Sequence, residues 1–259
     1  MPRFAANLTM MFNEVSFLER FGAAARAGFH AVEFLFPYDY PADQIKAELD
    51  DHKLELVLFN MPAGNWSAGD RGLACDPASV QHLRDGVNTA VGYARVLGCR
   101  QIHLMAGIRP RGATEGAMYD TYLANVQFAA AELARHDMTL LLEAINTRDM
   151  PGFYLNTSHQ AFDLMDAAGA SNVRFQYDVY HMQIMEGDLA TTLKKHIARI
   201  GHIQIADPPA RNEPGTGEIN YSFIFEWLDA IGYSGWVGCE YRPKSTTTDG
   251  LAWMRQWTS

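Results

Sequence analysis

Apolar runs of strand length alternate along this chain with longer amphipathic stretches at roughly 30-residue intervals, the pattern of repeated βα units. Strands are expected at Phe4 to Asn7, Ala31 to Phe36, Leu54 to Asn60, Gln101 to Met105, Thr139 to Glu143, Val173 to Asp178, His202 to Ile205 and Trp236 to Glu240. Helices are expected near Ser16 to Ala27, Pro41 to His52, Pro77 to Leu97, Tyr119 to His136, Ser158 to Ala168, Asp188 to His196, Tyr221 to Ile231 and Gly250 to Trp257. Gly28, Gly98 and Gly232 follow helices where a left-handed C-cap is wanted, and Ser158 and Asp188 are candidate N-caps. Eight strands with eight helices predict an α/β protein closed into a (β/α)8 barrel. With 259 residues and 48% hydrophobic content, one large core and a single domain over residues 1–259 are expected. The competing architecture is an open doubly wound sheet, but no GxGxxG follows the first strand and composition does not shift at a midpoint.

Four of the apolar runs end on a metal-competent side chain: Leu140 to Glu143, Val173 to Asp178, Ile200 to Gln204 and Trp236 to Glu240. A parallel strand buried on both faces is nearly all apolar, so a carboxylate or amide at its carboxyl end sits at the mouth of the sheet. Three carboxylates and an amide converging there repel one another unless a divalent cation lies between them. Oxygen donors of this kind favour Mg2+ or Mn2+ over softer metals. Glu143, Asp178, Gln204 and Glu240 are therefore the expected ligands, with Gln204 the weakest, because an amide at a strand end often only hydrogen-bonds to a ligand.

Composition narrows the functional classes. Cys75, Cys99 and Cys239 are widely separated, without a CxxC pair or zinc-type spacing, so neither a disulfide framework nor a structural zinc is indicated. The opening Met1-Pro2-Arg3-Phe4 leads straight into a strand, and no apolar run reaches about 18 residues, so an unexported, cytoplasmic protein without a membrane segment is expected. A net charge of -9 with no dense run of Lys and Arg argues against a nucleic-acid surface. Three long segments are expected at the carboxyl face: Met61 to Asp76, Asn146 to Asn156, and Asp207 to Glu218, whose prolines and glycines suit a substrate-covering loop.

The chain resembles the hydroxypyruvate isomerase family of the xylose-isomerase-like TIM-barrel superfamily over nearly its whole length. The resemblance is carried by Arg3 to Phe12, Ala31 to Tyr38, Glu143-Ala144-Ile145-Asn146 with Pro151-Gly152, and Asp178-Val179-Tyr180-His181. It continues through His202 to Asp207, Pro214 to Tyr221 and Gly238-Cys239-Glu240-Tyr241. It implies one divalent-metal site made by Glu143, Asp178, Gln204 and Glu240, isomerisation of a small hydroxy-oxo acid, and barrels that associate into homo-oligomers through their outer helices or loops. Related sugar epimerases usually carry histidine where this chain has Gln204, a departure that favours the isomerase branch.

The chemistry agrees with that implication. Moving a carbonyl to the neighbouring carbon means taking a proton from a hydroxyl-bearing carbon and returning one next door, with a charge sink for the enediolate between. Glu143 and Glu240 are the expected acid and base. His181, three residues past Asp178, and the strand histidines His103 and His202 are candidates for contacting substrate, with satisfied core positions as the duller reading of the last two. Arg211 is the first candidate for gripping a substrate carboxylate, with Arg148, Arg242 and Lys244 behind it. Glu33 could partner another side chain or stand on the rim, Phe12, Trp66 and Tyr241 could wall a pocket, and Trp253 and Trp257 could form an oligomer surface or cover the barrel bottom. Competing functions are a four-carbon 2-oxo-tetronate isomerase, a ketose 3-epimerase, an abasic-site endonuclease of the same superfamily, and a non-catalytic barrel that binds a sugar acid. The endonuclease needs ligands for three metals and a basic groove, both poorly supplied here.

Overall fold

The computed structural model describes residues 1–257. Eight parallel strands follow one another around a closed barrel: β1 (Arg3–Asn7), β2 (Ala31–Glu33), β3 (Glu55–Asn60), β4 (Gln101–His103), β5 (Thr139–Glu143), β6 (Val173–Asp178), β7 (Ile200–Gln204) and β8 (Trp236–Cys239). Closure comes from β1 pairing with β8, Ala5 opposite Gly238. Around the barrel run α1 (Glu19–Arg26), α2 (Ala42–His52), α3 (Val80–Leu97), α4 (Glu115–Ala134), α5 (Ser158–Ala168), α6 (Val179–Met185), α7 (Leu189–His196) and α8 (Tyr221–Ala230). The expected barrel is the observed one. Among the described residues, no helix is long and apolar enough to cross a membrane.

The differences from the sequence reading are local and have causes. Strands β2 and β4 stop at Glu33 and His103, short of Phe36 and Met105, and the register of β2 against β3 shifts between Val32 and Glu33. β7 runs Ile200–Gln204 instead of His202 to Ile205, starting where a 3-10 turn at Ile197–Arg199 ends. Helix α6 was not expected: it abuts β6 with no turn residues between, and Asp178 caps it by accepting from the Tyr180 N–H at 2.8 Å. The cap of α5 is Thr157, which accepts from Gln160 N–H, rather than Ser158; Asp188 stands before α7 in a left-handed conformation without a side-chain cap. The last segment is a 3-10 helix, Asp249–Gln256, and its Trp253 packs on Phe4 and Phe225 with ring centroids at 5.0 and 5.6 Å. Gly28, Gly98 and Gly232 all take positive φ, as their cap positions require.

The barrel interior changes character along the strands. Side chains alternate with a period of two, and the lower inward positions, Ala5, Ala31, Val57 and Leu141, form a small apolar cluster of their own. One step towards the carboxyl end the inward residues turn polar: Asn7, Glu33, Glu143, Gln176 and His202, all buried. The main core lies outside the strands, between them and the helices. The fold thus places buried polar groups at one end of a rigid apolar cylinder.

Candidate active site

Glu143 closes β5, Asp178 closes β6, Gln204 closes β7 and Glu240 follows β8 directly, and all four are buried. Register aligns them: Asp178 is opposite Gln204, and Gln204 is opposite Gly238. Glu143, Asp178 and His181 each offer an atom within 4.8 Å of the others, a group able to hold a metal ion. His181 Nε2 lies 3.4 Å from Asp178 Oδ2 and 3.8 Å from Glu143 Oε1. Those two carboxylate oxygens are buried and have no hydrogen-bond partner among the described residues. Buried ionisable oxygens left bare are costly unless a cation or donor meets them, and such a donor set suits a hard divalent ion. The residues present therefore fit such an ion.

His181 is oriented by Asn146. Its Nδ1 accepts from the Asn146 backbone N–H at 3.4 Å and lies 2.6 Å from Asn146 Nδ2. The Asn146 amide is oriented by its Oδ1, which accepts from Asp149 N–H at 2.7 Å. A neutral imidazole with Nδ1 accepting carries its hydrogen on Nε2, so Nε2–H points towards Asp178 and Glu143. Burial, then the charge of Arg211, holds the His181 pKa well below its ordinary value.

Gln204 sits in a network below the cavity. Its Nε2 donates to Glu33 Oε1 at 2.7 Å, and its Oε1 accepts from Gln176 Nε2 at 2.6 Å. Glu33 also accepts from Asn7 Nδ2 at 2.9 Å, and its Oε2 lies 2.6 Å from His202 Nε2. Because a carboxylate only accepts, Glu33 keeps the NH2 edge of Gln204 and turns its carbonyl edge away. A Cβ on residue 238 would come within 2.2 Å of Glu33 Oε2, so glycine there makes room for this carboxylate. His202 is thus tied to Glu33 and is absent from the cavity lining, contrary to the expected substrate contact. His103 is also absent from the lining: Nδ1 lies 3.3 Å from Asn60 Oδ1 and 3.6 Å from Glu143 Oε2. Burial pushes its pKa down to about 3. Replacing Glu33 by alanine strands three buried donors, and the expected loss is about 3 kcal/mol or more, read by urea unfolding. A loss below about 1 kcal/mol would mean the network contributes little to the fold.

A cavity of about 400 Å3 opens above these groups, lined by Glu143, His181, Arg211 and Glu240 together with Asn60 and Trp66. A larger one, about 480 Å3, lies at the other end of the barrel against Phe4 and Trp236 and has no carboxylate in its wall. Clustered chemistry, not volume, identifies the site. Arg211 stands in its wall among carboxylates. Its Nη2 donates to Glu240 Oε2 at 2.8 Å and lies 3.7 Å from Asp178 Oδ2, and Nη1 lies 3.8 Å from Asp149 Oδ2. It was expected to hold a substrate carboxylate; here it neutralises the protein's own. Burial raises the Glu143 pKa well above its ordinary value, with Glu240 and Asp178 adding to the rise. Burial likewise raises Glu240 to about 8 and Asp178 to about 6, against the lowering pull of Arg211.

Sequence reasoning passed over Asn146, Asp149, Gln176 and Arg71, although Gln176 stands two residues before Asp178 and so shares its side of β6. Phe12 and Tyr241 are core residues, whereas Trp66 lines the cavity as expected. Arg148 and Lys244 do not line it; Arg242 does. The segment 207–219 is tied down by Asp207, whose carboxylate accepts from the N–H groups of Gly215, Gly217 and Ile219 at 2.8 to 3.0 Å.

A barrel with carboxylates at the ends of β5 and β6 and just past β8 defines a class. Residues 21–257 match the family model described as Xylose isomerase-like TIM barrel, and the chain belongs to that family. It is 49% identical to the hydroxypyruvate isomerase of Escherichia coli over 254 residues, 98% of each chain. It is 51% identical to the 2-oxo-tetronate isomerase of Cupriavidus necator over 255 residues, again 98% of each. A solved structure described as an AP endonuclease, family 2, from Brucella melitensis superposes with a TM-score of 0.97 at 49% identity, covering all of both chains. With curated isomerases at this likeness along its whole length, the chain is an isomerase.

Proposed function

We propose that this protein interconverts hydroxypyruvate and 2-hydroxy-3-oxopropanoate (tartronate semialdehyde), with Glu143 and Glu240 as acid and base. The observation that carries this reading is the pair of buried glutamates, Glu143 and Glu240, that line one cavity. One glutamate takes a proton from C3 of hydroxypyruvate. The C–H electron pair forms the C2–C3 double bond, and the carbonyl pair moves onto the C2 oxygen. The second glutamate returns a proton to C2, the C3 hydroxyl proton passes to the C2 oxygen, and the carbonyl is left on C3. The Nε2–H of His181 donates to a substrate oxygen near Asp178. Asp149 and Asn146 hold that imidazole in its tautomer through the contacts described above. Glu143, Asp178, Glu240 and the carbonyl oxygen of Gln204 would hold Mg2+ or Mn2+, and a bound ion supplies Lewis-acid stabilisation of the charge that develops on oxygen.

A second reading keeps the chemistry and lengthens the substrate. In a four-carbon 2-oxo acid the carbonyl also moves from C2 to C3, and the relative from Cupriavidus necator carries that substrate in its name. A cavity of about 400 Å3 has room for the additional CHOH. The endonuclease reading gains nothing from a net charge of -9 and, among the described residues, one metal-competent group. The three cysteines are buried thiols, which fits a reducing cytoplasm. Rates for hydroxypyruvate and for 2-oxo-tetronate, measured side by side with Mg2+ or Mn2+, decide between the acids. The three-carbon acid is expected to give the higher kcat/KM, and a reversed preference transfers the assignment to the longer acid.

A further inference from the structure

The reading of the substrate as a small hydroxy-oxo acid requires a cation for its carboxylate, and the cavity wall offers three guanidinium groups: Arg71, Arg211 and Arg242. Arg211 is engaged with Glu240, Asp178 and Asp149. Arg242 is exposed and held by its backbone: its N–H donates to Arg211 O at 2.8 Å, and its carbonyl accepts from Asn212 Nδ2 at 2.7 Å. Ordering its long side chain on a ligand costs rotamer entropy.

Arg71 is placed differently. Its Nη1 donates to the carbonyl oxygens of Trp66 at 2.9 Å and Asp70 at 2.7 Å. Its Cζ lies 4.0 Å from the centroid of the Trp66 ring. These anchors fix the plane of the guanidinium without neutralising it, and among the described residues no carboxylate pairs with it and Nε and Nη2 have no partner. The backbone beneath is equally fixed. Gly72 N–H donates to Ala63 O at 3.0 Å and Cys75 N–H to Ala106 O at 2.8 Å. Gly72 has φ +110°, and a Cβ there would meet Met105 O at 2.5 Å. The chain after β4 thus clamps the residue next to Arg71. A planar fork ordered in advance, with one edge free and its charge uncompensated, is what bidentate carboxylate binding needs.

We propose that Arg71 binds the carboxylate of the acid substrate through Nε and Nη2, so that selection of acids over uncharged sugars resides in the loop between β3 and α3. The inference rests on the acid-isomerase reading. It is tested on the full-length protein supplied with Mn2+, as wild type, Arg71→Gln, Arg71→Lys and Arg242→Gln. Binding of D-glycerate is followed by calorimetry, turnover of hydroxypyruvate by its KM and kcat, and Mn2+ affinity by electron paramagnetic resonance. Arg71→Gln is expected to raise the D-glycerate Kd and the hydroxypyruvate KM by about 10- to 100-fold, with Mn2+ affinity retained. Arg71→Lys should recover part of that loss, since it keeps the charge and gives up the fork. Unchanged KM and Kd in Arg71→Gln, or a loss carried by Arg242→Gln instead, overturns the assignment while leaving the isomerase reading intact. Equal loss of Mn2+ and D-glycerate binding overturns it in favour of a scaffold role for the loop. A wild type that neither isomerises hydroxypyruvate nor binds D-glycerate brings down the reading and the subsite together.

Discussion

Glu240→Gln lowers kcat for hydroxypyruvate isomerisation by about a thousandfold and leaves the protein folded. Glutamine preserves the volume of the side chain and still offers an oxygen to Arg211 Nη2, 2.8 Å away in the native site, so packing at the end of β8 is unchanged. What it removes is the ability to take and return a proton, together with one of the negative charges proposed to hold the ion. Glu143→Gln is expected to fall as far or further, since the same carboxylate oxygens face Asp178 and His181. Rates from progress curves and melting curves by circular dichroism check both parts. A Glu240→Gln enzyme within about tenfold of wild type would show that this carboxylate neither accepts nor donates the transferred proton.

Chelation gives the second large effect. Treatment with EDTA is expected to reduce kcat/KM by about a thousandfold or more, restored by Mg2+ or Mn2+, since Lewis-acid stabilisation of an enediolate contributes several kcal/mol. The same treatment lowers thermal stability in a pH-dependent way. Burial raises Asp178 to about 6 and Glu240 to about 8 in the ion-free fold, above the ordinary carboxylate range. A carboxyl whose folded pKa is raised favours the fold while protonated, and that contribution is lost as pH rises through the folded values. A divalent ion reverses the preference by stabilising the ionised carboxylates, and its binding releases protons. The gap in melting temperature between Mn2+-loaded and EDTA-treated protein should therefore widen from about pH 5 to about pH 8. A gap that stays constant or narrows over that range contradicts an ion seated on these carboxylates.

The barrel was legible because βα alternation is written in hydrophobic pattern, and its strands are buried enough to show as plain apolar runs. The strand-end carboxylates were legible for the same reason: Glu143, Asp178 and Glu240 interrupt runs that are otherwise apolar. Partnership across the barrel was hidden. Glu33 and His202 are 169 residues apart and meet at 2.6 Å only because β2 and β7 face each other through the interior. No local signal marks Gly238 as the position that makes room for Glu33. The contacts of Arg211 with the protein's own carboxylates were hidden for the same reason, since Asp149, Asp178 and Glu240 reach it from three separate segments of the chain. Arg71 was overlooked because its anchors are backbone carbonyls and an indole face, which sequence does not display. Helix α6 was missed because strand and helix share Asp178 as end and cap, with none of the turn residues that usually separate them.

The most direct test of the account is an NMR time course of hydroxypyruvate with purified protein and Mn2+ or Mg2+, run beside an EDTA control and Glu240→Gln. Ion-dependent loss of the C2 ketone and growth of an aldehyde at C3 with a new C2–H are expected, with conversion slowed about a thousandfold in both controls. Persistence of hydroxypyruvate, or conversion that continues unchanged in Glu240→Gln, contradicts the account.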